Sequence, residues 1–153
     1  MSTLRILPRA LALGLAAGAR STLGPCAPQW ARARAEGRTR SQGLAALTIA
    51  GEFAMDKVPS LPARTEGVGL WARAFSGAWG GALLARNLGG HTVTTAAVAA
   101  VAAPVGALAG VGWRSWWSQG RPAWVGAVAE DVVALSLAGY AVAGTGRGTD
   151  GPR

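Results

Sequence analysis

Long apolar blocks separated by short polar stretches dominate this chain. Residues 87–113 contain no Asp, Glu, Lys or Arg, and this run of 27 residues exceeds the roughly 20 that a helix needs to cross a bilayer. The pattern predicts five candidate spans: about 9–30, 42–57, 67–87, 91–114 and 122–145. The first is interrupted by Arg20, and Gly24-Pro25 with Pro28 should kink or break it, so it reads as a bent span or a re-entrant element. The second is short and must thin the membrane, be shielded by neighbours or extend into the polar zone. The expected fold is therefore all-α: a polytopic transmembrane bundle of about five helices. Residues 1–145 form one transmembrane domain and 146–153 a Gly-rich tail.

Composition agrees with that picture. Half the residues are apolar and only 14% are charged, below the roughly 25% usual in soluble domains. A soluble bundle of 153 residues could barely bury the 87–113 run on every side. The net charge of +8 comes from Arg at fourteen positions and one Lys. Its densest run, residues 31–40, lacks interleaved aromatics for base stacking, which argues for lipid head groups over nucleic acid. Single Cys26 and single His91 lack the companions of a metal cluster. No cofactor is expected.

Residues 1–19 also resemble a secretory signal, with Arg5 and Arg9, an apolar core and Ala17-Gly18-Ala19 as a cleavage pattern. Against cleavage stands the Gly14/Gly18 spacing of a retained packing helix. If the first segment spans, Arg32, Arg34, Arg38, Arg40, Arg86, Arg147 and Arg153 share one side, and Arg5, Arg9, Lys57, Arg64, Arg114 and Arg121 the other. Seven against six barely discriminates; the Arg-dense 32–40 loop favours an outside N-terminus and an inside C-terminus. Trp113, Trp116, Trp117 and Trp124 flank a polar turn, as at a membrane interface or in ordinary aromatic packing.

The acidic residues supply the candidate chemistry. Glu52, Asp56, Glu130 and Asp131 lie inside or beside apolar stretches, where ionisable groups are costly and mark functional positions by default. Glu52 and Asp56, at i and i+4, project from one helix face and need a cation, a proton or a basic side chain to compensate them. Arg20, Lys57, Arg64 and Arg73 are the available partners. Glu130 and Asp131 point about 100° apart, so one helix cannot aim both at one ligand. Three glycine pairs at four-residue spacing, Gly14/Gly18, Gly77/Gly81 and Gly106/Gly110, predict close helix crossings within or between subunits. Pro59 and Pro62 predict a stiff connector between the second and third spans.

Residues 51–65 (GEFAMDKVPSLPART) followed by 73–78 (RAFSGA) resemble a bacterial membrane-protein family known as domain of unknown function 4126. The matching positions are Gly18, Arg20 and Ser21; Glu52, Asp56, Lys57, Pro59, Pro62, Arg64 and Thr65; Arg73, Ser76 and Gly77; and Glu130 and Asp131. The likeness touches most of residues 14–140. It implies a multi-pass protein of the bacterial inner membrane and singles out the same polar positions, without implying an activity.

Function follows as an expectation of class only. A non-enzymatic transporter or channel would use the carboxylates to bind a small cation or exchange protons, with lipid as surroundings and a homo-oligomer as an expected assembly. The alternatives are a structural or assembly protein with a purely internal ion-pair network, and a metal-dependent lipid head-group enzyme using paired carboxylates. The order of Gly-pair and acidic helices also suggests two units in inverted arrangement.

Overall fold

A computed structural model of the chain describes residues 3–55 and 67–145. Those residues form six α-helices and no strand: α1 (Thr3–Ala19), α2 (Leu23–Ala35), α3 (Thr39–Met55), α4 (Gly67–Leu88), α5 (Thr92–Trp117) and α6 (Ala123–Val142). Two of them, α5 and α6, are long and apolar enough to cross a membrane, with mean hydropathies of 1.8 and 1.5. Only 33% of each apolar window is buried, whereas the core helix of a soluble protein is mostly covered.

The first predicted span is two helices, and it breaks at Arg20-Ser21-Thr22, ahead of the Gly-Pro step. Pro25 sits in the first turn of α2, where the fixed φ of proline suits the start of a helix. Pro28 lies inside α2 and is accommodated there. Contacts along α4 set the direction of both arms. In α1, Ile6 lies against Gly90 just past the end of α4, and the Gly18 carbonyl accepts from Arg73 near its beginning. In α2, Gly24 faces Ser76 and Gly80, and the Pro28 carbonyl accepts from Asn87 Nδ2 at 2.9 Å. Hence α1 runs against α4 and α2 runs with it: the two arms form a hairpin.

The remaining helices follow in register. Gly14 meets Ala99 and Ala102 and Gly18 meets Ala103 and Ala107, so α5 runs parallel to α1. Arg20 pairs with Asp131 and Arg9 with the Ala143 carbonyl, so α6 runs antiparallel to α1. Glu52, near the end of α3, reaches the hairpin turn. The turn therefore sits roughly 10–15 Å from the end of the bundle formed by the starts of α4 and α6 and the end of α5, given the helical rise. Both outer ends of the hairpin emerge at the opposite end.

This geometry corrects the charge distribution expected from a spanning first segment. Arg5 and Arg9 lie at the same end as Arg32, Arg34, Arg38, Arg40 and Arg86, while Arg114 and Arg121 lie at the other. It also removes the inverted-unit expectation, because the counterpart of the α1–α2 hairpin is α5, a continuous helix of 26 residues.

Small residues dominate the buried faces of α4 and α5. The interior of α5 is Thr95, Ala99, Ala102, Ala103, Gly106, Ala107 and Gly110, while Val93, Val101, Val105 and Leu108 face outward. Likewise α4 buries Gly77, Gly80 and Gly81 and exposes Trp71, Phe75 and Trp79. Burying Gly and Ala yields little hydrophobic free energy, so backbone approach and dispersion hold these crossings together. Gly14, Gly18, Gly77, Gly81 and Gly106 each face the backbone of a neighbouring helix, and an added Cβ would stand under 3.0 Å from it. Gly110 differs: its missing side chain makes room for Glu130, whose Oε1 would lie 2.9 Å from a Cβ there.

Gly18→Ala and Gly77→Ala should each lower unfolding stability in detergent by about 1–3 kcal/mol through overpacking. Gly43→Ala, where an added Cβ would meet no neighbouring element within 4 Å, should be neutral or raise stability by up to about 1 kcal/mol. Equal effects at all three positions would contradict the helix crossings described.

Candidate functional site

The turn between α1 and α2 ends two helices inside the bundle, and each helix end leaves backbone groups without intrahelical partners. Side chains from α3 and α4 meet this need. Helix α3 supplies Glu52, whose Oε1 accepts from Ser21 N at 2.8 Å and Ser21 Oγ at 2.7 Å. Its Oε2 accepts from Thr22 N at 2.9 Å and from Thr22 Oγ1. The carboxylate thus caps the start of α2, the end of a helix dipole that favours negative charge. Helix α4 supplies Arg73, buried, which donates to the Gly18 carbonyl at the end of α1 where positive charge is favoured. Ser76 Oγ donates to the Ser21 carbonyl, whose helical partner would be the amide that Pro25 lacks.

Helix α6 completes the set. Arg20, at the turn itself, donates from Nε to Asp131 Oδ1 at 2.9 Å and from Nη2 to the same oxygen. Glu130, one residue earlier, points elsewhere and pairs with Arg114 in the last turn of α5, with Nε to Oε2 at 2.7 Å and Nη2 to Oε1 at 3.1 Å. The 100° between successive helix positions gives the two acids different partners, and both are engaged. Arg20, Arg73, Glu130 and most of Asp131 are shielded from solvent.

Among the described residues, the cluster holds guanidinium groups from Arg20, Arg73 and Arg114 and carboxylates from Glu52, Glu130 and Asp131. It balances to zero formal charge. Asp56, Lys57 and Arg64 lie outside the described residues, so the Glu52/Asp56 pairing is not part of this geometry. No group of three or more His, Cys, Asp or Glu side chains suited to a metal is gathered among the described residues. Cys26 is buried in α2, and His91 serves as the N-cap of α5, its Nδ1 accepting from Thr94 N at 3.4 Å.

Two apolar grooves flank the cluster. One of about 380 Å³, between α1, α5 and α6, has Glu130 in its wall, with Leu15, Trp113 and Leu137 around it. The other, of about 590 Å³, lies between α2, α3 and α6. Neither is a polar channel.

Sequence patterns did not single out Thr22, Asn87 or Arg114 as polar partners, and Ser76 stood among the resemblance positions with no partner assigned. Hydroxyl residues are ordinary in membrane helices and carry no signal until a partner is known. Arg114 resembles a loop charge by position, yet its side chain turns back toward α6. A usable sign for Ser76 was Pro25 itself, which orphans the Ser21 carbonyl and requires an outside donor.

Glu52→Ala should destabilise the chain by about 1–3 kcal/mol for each turn amide left unmet, with Glu52→Gln losing less because one acceptor oxygen remains. In a double-mutant cycle, Arg20→Leu and Asp131→Leu should each cost about 3–5 kcal/mol and together clearly less than their sum. Additive losses in detergent unfolding would mean the pair is not coupled.

Comparison of this chain with family models, curated proteins and solved structures finds no match.

Proposed function

We propose that this chain is a multi-pass protein of the bacterial cytoplasmic membrane in which α3, α4, α5 and α6 span and the α1–α2 hairpin re-enters. Its buried charges act as an internal lock that fixes the hairpin, giving a structural or assembly role. The observation that carries this reading is that every described carboxylate of the cluster is met by protein donors and the charges cancel. A site built to take up a cation leaves acceptor capacity or net negative charge for it. Outward-facing Val, Leu and Trp around a Gly and Ala interior support lipid as the surroundings. The resemblance to domain of unknown function 4126 supports the bacterial membrane location.

Arginine placement supports one orientation. With the hairpin re-entrant, Arg5, Arg9, Arg32, Arg34, Arg38, Arg40 and Arg86 gather at one end, and the positive-inside tendency puts that end in the cytoplasm. Both termini then face inward, and the Trp-rich α5–α6 turn faces outward. There Arg121 lies 4.9 Å from the ring centroids of Trp116 and Trp117.

Transport or conduction of a small ion or proton is the second reading. It is favoured by the interrupted helix: half-helix ends at depth form the sites of many transporters, and non-helical backbone there is tolerated only inside protein or beside a cavity. In that reading the paired cluster is a closed state, and protonation of Glu52 would release the turn.

Two measurements test these readings. In a Cys26→Ser background, Gln119→Cys should react with a membrane-impermeant maleimide in intact cells and Thr39→Cys only after the membrane is opened; a reporter at the N-terminus should be cytoplasmic. An N-terminus on the side opposite Thr39 would overturn the re-entrant hairpin, and an external N-terminus together with an external Thr39 would reverse the orientation. In proteoliposomes, wild type and Glu52→Gln should both stay at the leak of protein-free vesicles. Proton or cation flux in wild type that Glu52→Gln abolishes would replace the lock with the transport reading.

A further inference from the structure

We propose that the groove between α2, α3 and α6 holds an acyl chain of an anionic phospholipid whose phosphate is bound by Arg34; this rests on the membrane reading above. Leu23, Ala27, Trp30 and Arg34 stand at i, i+4, i+7 and i+11, one face of α2. Three apolar positions line the groove and the fourth, one turn further out, carries a cation. Ile49 of α3 and Leu135 and Val142 of α6 close the other walls. The groove has room for a hydrocarbon chain, about 590 Å³, and is almost wholly apolar.

The charged end is what selects the ligand class. Arg34 is exposed, and its guanidinium lies 5.3 Å from the Trp30 ring centroid, which holds it over the groove wall. Nearby Arg32 and Arg38 are both engaged by Glu36, the former at 2.7 Å. That contact with Arg32 and the charge of Arg38 hold the exposed Glu36 carboxyl below its ordinary pKa, so it stays ionised at neutral pH. Arg34 has no carboxylate partner among the described residues. Arg9 adds a second cation at this end, donating to the carbonyl of Ala143 next to Val142.

A groove with hydrocarbon walls and an uncompensated guanidinium at one mouth matches a lipid with an anionic head, and its cationic end lies at the leaflet where such lipids are concentrated. The α1/α5/α6 groove lacks this feature, because its Glu130 is matched by Arg114. A second copy of the chain fits the α2/α3/α6 groove less well. Inserted in the same orientation, it would bring its own arginine-rich end against Arg34.

The test uses the full chain, purified in detergent and equilibrated with equal phosphatidylglycerol and phosphatidylcholine, with bound lipid counted by native mass spectrometry. Wild type should retain phosphatidylglycerol several-fold over phosphatidylcholine. Arg34→Ala should bring the two to parity, and Arg34→Lys should keep the preference. Gly139→Leu, at a groove position with no atom within 4 Å of an added Cβ, should remove bound lipid of both kinds without changing helix content. An unchanged preference in Arg34→Ala, or unchanged lipid in Gly139→Leu, would overturn the site. A lipid-free dimer that Gly139→Leu converts to monomer would overturn it too, assigning the groove to a second copy. A chain that stays monodisperse without detergent would sink the membrane reading itself; a detergent-requiring chain without lipid preference sinks only this site.

Discussion

Backbone amides and carbonyls removed from water must find partners, and at the α1–α2 turn that requirement organises the molecule. Breaking a helix inside a bundle exposes donors at the start of one arm and acceptors at the end of the other. Glu52 meets the donors and Arg73 an acceptor, each with the sign of charge that the helix dipole favours. Because these side chains come from α3 and α4, and Arg20 reaches Asp131 on α6, the turn fixes the axial register of those helices together. Charge here sets register alongside the buried side chains of Ile6, Leu13, Leu23 and Leu84.

The small-residue interior is the other half of the same arrangement. A charged network needs short, well-defined distances, and glycine at the crossings lets the helices come close enough to give them. Ser76 reaches the Ser21 carbonyl because Gly24 and Gly80 let α2 and α4 approach. Glu130 reaches Arg114 through the space left at Gly110. A side chain at Gly24, Gly80 or Gly110 would push apart groups whose interaction falls steeply with distance. Packing and electrostatics are therefore coupled, and a change in one is felt in the other.

The three later helices were legible along the chain because their apolar stretches are long and are separated by Gly-Gly and Gly-Arg-Pro breaks; α4, α5 and α6 begin and end close to the expected positions. Acidic residues stood out for the same reason, as charges within those runs. The hairpin was only half legible. Arg20, Gly24, Pro25 and Pro28 signal an interruption, but a bent span and a hairpin share that signal, and only contacts of Ile6 and Pro28 with the same end of α4 separate them. Orientation was hidden with it, since Arg5 and Arg9 change ends according to that choice. Partner identity was least legible: Ser21 and Thr22 owe their roles to Glu52 some thirty residues away, and Arg114 to the turn of its side chain back toward the next helix.

The buried turn is tested most directly by the distance between the two arms. Spin labels at Pro8→Cys and Ala35→Cys, in a Cys26→Ser background, report it by pulsed electron resonance. A hairpin places them below about 30 Å, whereas one continuous spanning helix over those 27 intervals separates them by about 40 Å. A single narrow distribution at the shorter distance is the expected result; a peak near the longer one would contradict the fold and the charge network built on it.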